Sequence, residues 1–414
     1  MMTYNSSTAG FGPIDLLSPD YCQDPHPWLA AARQRGSVLY APSLDLWMVL
    51  GYEDVRDVLM RPSEFSSAGT SQDPVVPLCE SAEEVLNQVH LDTAPTISSS
   101  DGEGHARLRS AFVRTLSPKR IAIMRERAKL DASNLAAAMH DSCGFSEFIS
   151  HFASPFTSEA IFSLIGFPRN DHEHLRRWCH DRLMLTWGRL DDAGQVAAAK
   201  GLANLREYCK AFVEDRWVFG TGDHLVDDLV QLSRANPDKL GKSEVVAIIS
   251  SLSFAGHETT ARLLGNIVLL LGTTAGTWAR IATDPGLAPL AIEEALRLEP
   301  PIFAWRRKTT RVCRLAGTTI PAQATVLLSI GATGRDPAVF EQGPKFAMET
   351  ASRKHLAFGR GIHSCPGASL ARAQAAEALS VLSRAFPTLN LVSKTPPWTS
   401  NLSFRGPSAL WLEW

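Results

Sequence analysis

Read by the spacing of its apolar and polar positions, the chain is helical over most of its length. Apolar residues recur at helical spacing through 136–139, 156–165, 196–213 and 225–232. The series breaks at Gly166-Phe167-Pro168, Gly220-Thr221-Gly222 and Asn236-Pro237. Earlier, Pro25-His26-Pro27 forms a turn, a short helix covers 28–35 up to Gly36, and another covers 52–60. Two β-prone runs, 37–40 and 46–50, flank Pro42-Ser43-Leu44-Asp45 and predict a hairpin. Residues 302–330 turn β-like, with short strands predicted at 311–316, 318–320 and 325–330, and closing strands are predicted within 387–414, where 400–404 turns toward a pocket. Between 66 and 100 the periodicity dissolves into Gly69, Pro74, Pro77, Pro95 and many Ser and Thr, with one helical patch near 82–89. A loop of that length in a compact enzyme is functional or disordered.

Two long helices dominate the remainder. The run 243–271 is the most apolar of the chain, yet His257, Glu258, Arg262 and Asn266 interrupt it. Its centre is too polar to cross a bilayer, so it predicts a buried central helix. Within it, Ala255-Gly256-His257-Glu258-Thr259-Thr260 sets an acid and hydroxyls among apolar residues, which is costly unless they are partnered. Ala255 and Gly256 leave room for a ligand, and a Thr hydroxyl can bond back to a carbonyl and loosen the helix. A helix kink with a satisfied Glu258 reads the same residues without any ligand.

The second run, 368–386, aligns Leu370, Ala371, Ala375, Ala378, Leu379 and Leu382 on one stripe. Directly before it, 358–367 reads Phe358-Gly359-Arg360-Gly361-Ile362-His363-Ser364-Cys365-Pro366-Gly367. A cysteine ahead of a helix N-terminus faces unpaired N–H groups, which favour the thiolate, a soft ligand for iron. An inert buried thiol or a loop that binds haem reversibly would also use a cysteine here. Neither requires a Phe, three glycines and a His at fixed offsets from it.

Composition narrows the class. The chain has 414 residues, 45% apolar and 20% charged, which suits a globular enzyme; its length allows one to three domains. With no repeat and no long linker, a single domain over 1–414 is expected. A net charge of −2 gives no global pull toward nucleic acid or an anionic membrane. Seven cysteines, an odd number with no Cys-x-x-Cys pair, argue against a disulfide framework or zinc site and for a reducing compartment. The polar 1–12 stretch lacks a signal-peptide pattern, so a cytoplasmic location is expected.

The loop around Cys365 resembles the cysteine-ligand loop of the cytochromes P-450, Phe-Gly-x-Gly-x-His-x-Cys-x-Gly-x-x-Leu-Ala-Arg. Phe358, Gly359, Gly361, His363, Cys365, Gly367, Leu370, Ala371 and Arg372 fill every fixed position. Ala255–Thr260 resembles the family's oxygen-binding helix. The helical pair His105 and Arg109 is similar to the pair that binds the haem propionates, and Arg307, by its distance before Gly317, to a third propionate ligand, with Arg306 adjacent. Glu294 and Arg297 resemble the structural Glu-x-x-Arg pair, and Gly334-Arg335-Asp336-Pro337 the usual Asn-Arg-Asp-Pro turn with Gly for Asn. The motifs run in family order from 105 to 372.

This resemblance implies a mainly α, single-domain fold with a smaller β region. It implies haem b (iron protoporphyrin IX), Cys365 as the metal ligand, and Phe358, Gly359, His363 and Gly367 as part of the cofactor cradle. Thr259 would stand beside the oxygen-binding position, with Glu258 as its proton-delivery partner, and His257 is left structural. The implied activity is a monooxygenase acting on a small apolar or aromatic molecule such as a natural-product precursor. Electrons would come from a soluble ferredoxin or flavodoxin with its reductase, docking near Arg114, Lys119, Arg360 and Arg372, unless these are ordinary surface charges. No nucleic acid or membrane is implied. A radical-coupling or peroxide-driven enzyme on the same haem, and a haem sensor, are the alternatives. Leu252, Ala255, Phe303, Trp305 and the 66–100 loop are expected to line the pocket. Trp178, Trp187 and Trp217 read as core or lid packing, or as holders of an aromatic substrate.

Three positions depart from the family pattern. Thr350 stands where an Arg is usual, and Arg353 or His355 is expected to pair with Glu294 and Arg297 in its place. Val312 replaces a frequent acid. Pro366 has no N–H, so the sulfur loses one potential donor and should carry more charge.

Overall fold

The computed structural model describes residues 14–89, 94–142, 144–220 and 222–414. Among them are fifteen α-helices and three small sheets. The central helix runs Lys242–Thr273. Its C-terminal half is buried on every side through Leu263, Leu264, Ile267, Val268 and Leu271, which is why that stretch shows no polar face. Helices Ser154–Ile165, His172–Trp187, Asp192–Phe219 and Ala288–Leu298 pack around it. At its start, the Gly241 N–H donates to the Glu244 carboxylate at 2.8 Å, and Arg107 holds the same carboxylate at 2.7 Å. The helix end is thereby satisfied and tied to helix Gly102–Thr115.

The helix after the cysteine loop spans Ala368–Ala385 and buries Leu370, Ala375, Ala378, Leu379 and Leu382, the predicted stripe. It packs on Pro118–His140 and on Ala288–Leu298. One apolar cluster joins Leu16, near the start of the described residues, to Phe404, near their end.

The main sheet has five strands in the order Val38–Ala41, Leu46–Val49, Thr325–Leu328, Trp305–Thr309 and Phe65–Ser66. The first two form the predicted hairpin, with Val38 opposite Val49. Thr325–Leu328 pairs parallel to Leu46–Val49 and antiparallel to Trp305–Thr309, with Arg307 opposite Val326. Alternation along Trp305–Thr309 sends Trp305 and Arg307 to one face and Arg306 to the other.

Several expectations are corrected. Trp305–Thr309, inside the β-like stretch 302–330, is a strand not named there, because Arg306, Arg307 and Lys308 hide it from an apolar count. The strand predicted at 325–330 stops at Leu328, and Ile330–Thr333 turns helical. Within 387–414 only Asn390–Leu391 and Trp411–Glu413 are regular strands. The irregular chain between them is anchored by bridges Gly188 to Asn401 and Ile302 to Phe404.

Glu294 and Arg297 have no exposed side-chain surface, so this is a buried pair rather than a weak surface one. Arg297 donates to Glu294 at 2.8 and 2.6 Å and to the carbonyls of Gly334, Gly343 and Lys345 at 2.5, 2.6 and 2.8 Å. The Ala347 N–H donates to Glu294 at 2.9 Å. Backbone groups therefore complete the pair, and among the described residues no side chain replaces the missing Arg at Thr350. His355 and Arg353 turn instead to the neighbouring Glu293, at 3.0 and 3.7 Å. The Gly of the Gly334 turn has a steric reason: a Cβ there would overlap the Arg297 carbonyl.

Candidate active site

One cavity of about 330 Å³ lies between the central helix and the cysteine loop. Gly359 and Gly361, both at φ +68, let the loop turn; a Cβ on Gly361 would meet the Leu59 carbonyl at 2.7 Å. The Cys365 N–H donates to the Phe358 carbonyl at 2.8 Å and closes the loop. Cys365 is enclosed by its loop yet its surface opens onto the cavity. Burial raises the thiol above its ordinary value, against the lowering effect of the Gly367 N–H, Arg109 and Arg372. Desolvation therefore works against the donors of the helix N-terminus at this sulfur.

A cluster of unmatched donors sits at one edge. Arg109, on helix Gly102–Thr115, reaches the cavity with Nη1 buried and unpartnered and Nη2 on Ser364 Oγ at 3.3 Å. His105, one turn earlier, is 2% exposed and its Nε2 is also buried without a partner. Its ring lies 4.2 Å from that of His363, which contacts Asp101 at 3.2 Å. Burial and Arg109 hold His105 below its usual value; burial, Arg307 and His105 bring His363 down to about 4. Arg307 lines the cavity and is lowered to about 10 by burial, so it stays cationic. The adjacent Arg306 faces away, donating to the Asp73 carbonyl and stacking on Trp187 at 4.3 Å. The sheet alternation decides the register between the two.

On the opposite wall, Ala255 and Thr259 face the cavity. Thr259 Oγ1 donates back to the Ala255 carbonyl at 2.8 Å. Glu258 points into the protein, paired with Arg262. Burial raises its pKa, but Arg262, His257 and His180 more than offset that, and it is held below its ordinary value. His257 contacts Thr157 Oγ1 at 3.1 Å and is lowered to about 4 by burial, a packed residue as expected. The room left by Gly256 is taken mainly by a neighbouring side chain: a Cβ there would meet Ile161 at 2.5 Å.

Comparison with known proteins decides the family. A cytochrome P-450 family model matches residues 287–404. The chain is 31% identical to the cytochrome P-450 monooxygenase PikC of Streptomyces venezuelae over 100% of this chain and 97% of that protein. It is 29% identical to the 6-deoxyerythronolide B hydroxylase of Saccharopolyspora erythraea, over 95% of this chain and 96% of that one. The solved cytochrome P-450 CREJ, in complex with (4-ethylphenyl) dihydrogen phosphate, superposes with a TM-score of 0.92 at 30% identity, covering 99% of this chain and 100% of that one. The chain belongs to the cytochrome P-450 family.

The protein is thus a mainly α cytochrome P-450 monooxygenase, an oxidoreductase whose cofactor is haem. The residues present fit that group. Haem brings two carboxylates, and the orphaned Arg109 Nη1 and His105 Nε2, with Arg307, are buried donors without an anion of their own. Among the described residues, no helix is long and apolar enough to cross a membrane.

The rest of the P-450 pocket is only partly as predicted. Leu252, Ala255 and Trp305 line it. Phe303 does not: it packs under Gly331, where a Cβ would overlap its ring, and beneath Arg405 at 5.3 Å. Ile302 and Phe404 take its place, through the bridge between those two residues. From 66–100, Ser71, Ile97 and Ser98 reach the cavity, and Glu80–Gln88 is the predicted helical patch; 90–93 lie outside the described residues. Of the three tryptophans only Trp187 lines the cavity. Arg182 also lines it, and no sequence motif pointed there. Arg372 is not a free docking charge, since it pairs with Glu293 at 2.5 Å and stacks on Phe358 at 4.4 Å. Arg114, Lys119 and Arg360 are exposed.

Proposed function

We propose that this P-450 oxidises a small, largely apolar or aromatic organic molecule, such as a natural-product precursor, by inserting one oxygen atom. The observation that carries this reading is the cavity with Cys365 on one wall, Ala255 and Thr259 on the other, and unmatched donors at its edge. When bound, the haem supplies the reductive activation of dioxygen. Cys365 holds its iron, and Phe358, Gly359 and Gly367 shape the loop behind it. Arg109 and Arg307 would neutralise its carboxylates, and His105 and His363 would help orient them as hydrogen-bonding groups.

Thr259 Oγ positions a proton at the cavity wall, its own hydrogen now parked on Ala255. Glu258 is the acid behind it. Its Oε2 is committed to Arg262, and Oε1 lies 3.8 Å from His257 Nε2, so Glu258 delivers a proton only after this pairing loosens. Leu252, Trp187, Trp305 and Phe404 exclude water and hold the substrate's apolar body. A relative named as a hydroxylase of 6-deoxyerythronolide B supports oxygen insertion into an organic substrate. We assign electron delivery to a soluble ferredoxin or flavodoxin with its reductase, docking near Arg114, Lys119 and Arg360, in a cytoplasmic, single-domain protein.

The test is the reduced, carbon monoxide-bound spectrum. A strongly red-shifted Soret band is the expected result; an unshifted band, with the thiolate lost, would favour a haem sensor and sink this reading. Thr259→Ala should then uncouple electron consumption from product. Unchanged coupling would favour a peroxide-driven or radical-coupling enzyme, with the acid–alcohol pair idle. A compound screen for the low-to-high-spin shift identifies the substrate.

A further inference from the structure

Arg182 is a cation in the pocket wall without an anion. It projects from helix His172–Trp187 into the cavity, donates to the Ser250 carbonyl at 3.1 Å and lies over the Phe254 ring at 4.8 Å. Among the described residues no carboxylate stands within ion-pair distance of it. Several buried or half-buried arginines elsewhere have one: Arg262 has Glu258, Arg297 has Glu294, and Arg405 and Arg335 share Glu299; the exceptions Arg306 and Arg307 rest on backbone carbonyls, and Arg307 belongs to the haem-carboxylate cluster. The adjacent acid, Asp181, packs toward Gly201 instead. Burial depresses Arg182, and on the neighbouring helix Asp192–Phe219 burial and the Arg182 charge together lower Arg206 to about 10. Two desolvated guanidiniums side by side, neither matched by an acid, are expensive unless something neutralises them.

The haem does not supply that charge. Its two carboxylates are already matched by the separate cluster of Arg109, His105 and Arg307, which borders the cysteine loop. Arg182 contacts the central helix at Ser250, about nine residues before Thr259, or roughly 13 Å of helix rise. That places it at the end of the cavity away from the oxygen-activating wall, where a substrate's far end would lie. Ser251, also lining the cavity, adds a hydroxyl at the same level.

We infer that Arg182 is a specificity residue that binds an anionic group, a carboxylate or its chemical equivalent, at the end of the substrate remote from the oxidised carbon. This rests on the monooxygenase reading above and names its substrate class: an apolar body carrying one terminal negative charge. Arg206 holds the field positive behind the contact. The Phe254 ring and the Ser250 carbonyl keep the guanidinium in place, so little of its freedom remains to be lost on binding.

The test anchors a probe on the haem iron, so that binding is secured independently of substrate identity. Imidazol-1-yl alkanoates with chains of six, eight and ten carbons are titrated against their methyl esters, following the azole-induced Soret shift. At the chain length that reaches Arg182, the carboxylate should bind about tenfold or more tightly than the ester, the range of a charge-assisted hydrogen bond. Arg182→Gln should bring the ratio close to one with ester affinity little changed, and Arg182→Lys should keep part of it. The carbon monoxide spectrum of each variant reports its folding. Should Arg182→Gln not fold, Ser251→Asp, which sets an acid at the same level, should abolish the preference. A carboxylate preference absent at every length, or one that persists in these variants, overturns the inference. A protein with no azole-induced shift and no thiolate-type carbon monoxide band overturns the haem-thiolate reading beneath it, a distinguishable failure.

Discussion

Replacing Arg297 with Ala should cost this protein most of its stability. The perturbation deletes five hydrogen bonds at a site with no exposed side-chain surface. It leaves the Glu294 carboxylate buried, with the Ala347 N–H as its remaining donor among those described. Removing one partner of a buried pair costs about 3–5 kcal/mol, because the other charge is left uncompensated. The carbonyls of Gly334, Gly343 and Lys345 also lose their donor. Each has a second lone pair, and water can enter the vacated space, so about 1 kcal/mol for the three together is a conservative addition. The sum, about 4–6 kcal/mol, is comparable with the whole stability of a typical domain, about 5–15 kcal/mol. Arg297→Lys keeps the charge but cannot present the planar fork, and should lose about 2–3 kcal/mol. Glu294→Gln combined with Arg297→Met removes both charges and should cost less than the sum of the single changes by about 2 kcal/mol or more. Urea titration followed by far-ultraviolet circular dichroism measures the stabilities, and the carbon monoxide spectrum counts haem-loaded molecules. An Arg297→Ala protein within about 1 kcal/mol of the parent, or strict additivity in the double mutant, would refute the reasoning.

Other consequences are smaller. Gly256→Ala should destabilise by about 1–2 kcal/mol, because overpacking against Ile161 Cγ1 and Cδ1 outweighs the helix-propensity gain, and in an Ile161→Ala background, which lacks both atoms, thermal melts should show that added cost vanish. Pro366→Leu adds an N–H beside a sulfur that already accepts from Gly367; about 1 kcal/mol of preference for the ferrous state, in which the sulfur carries more negative charge, should raise the potential by roughly 40 mV in a redox titration, and no rise would count against a donor-poor sulfur. Glu293 is depressed from 4.5 to about 2: burial raises it, but His355 and Arg372 prevail. A depressed carboxylate stabilises fully above its unfolded value and loses that contribution as pH falls through its folded value. Stability should therefore drop between about pH 4.5 and 2, and Glu293→Gln should be less stable at neutral pH with a flatter acid limb; parallel curves of urea midpoint against pH would contradict the pairing.

The cysteine loop, the central helix and the cationic cradle were legible because their chemistry is local. Cys365, the glycines around it, and His105 with Arg109 are set by spacing along one loop or one helix, which the sequence displays directly. Helix 52–60 emerged with its predicted bounds for the same reason. Strand Trp305–Thr309 escaped because its residues are justified by partners distant in sequence: Arg306 by Trp187 and the Asp73 carbonyl, Arg307 by the cradle. Phe303 was assigned to the pocket on its apolar character, which cannot say that Gly331 makes room for its ring elsewhere.

Sequence by itself determined the order of the helices and the family and singled out Cys365 for the ligand role proposed above, since a fixed-offset motif and a helical period survive without knowledge of the third dimension. Tertiary structure alone decided which charges are satisfied. It gave Glu258 to Arg262, His355 to Glu293 rather than Glu294, and three backbone carbonyls to Arg297. It also left Arg182 in the pocket without an acid among the described residues. The physical reason is range. Helix period and loop chemistry act between residues a few positions apart, whereas desolvation and charge pairing depend on which distant segments meet, and only the packed chain fixes that.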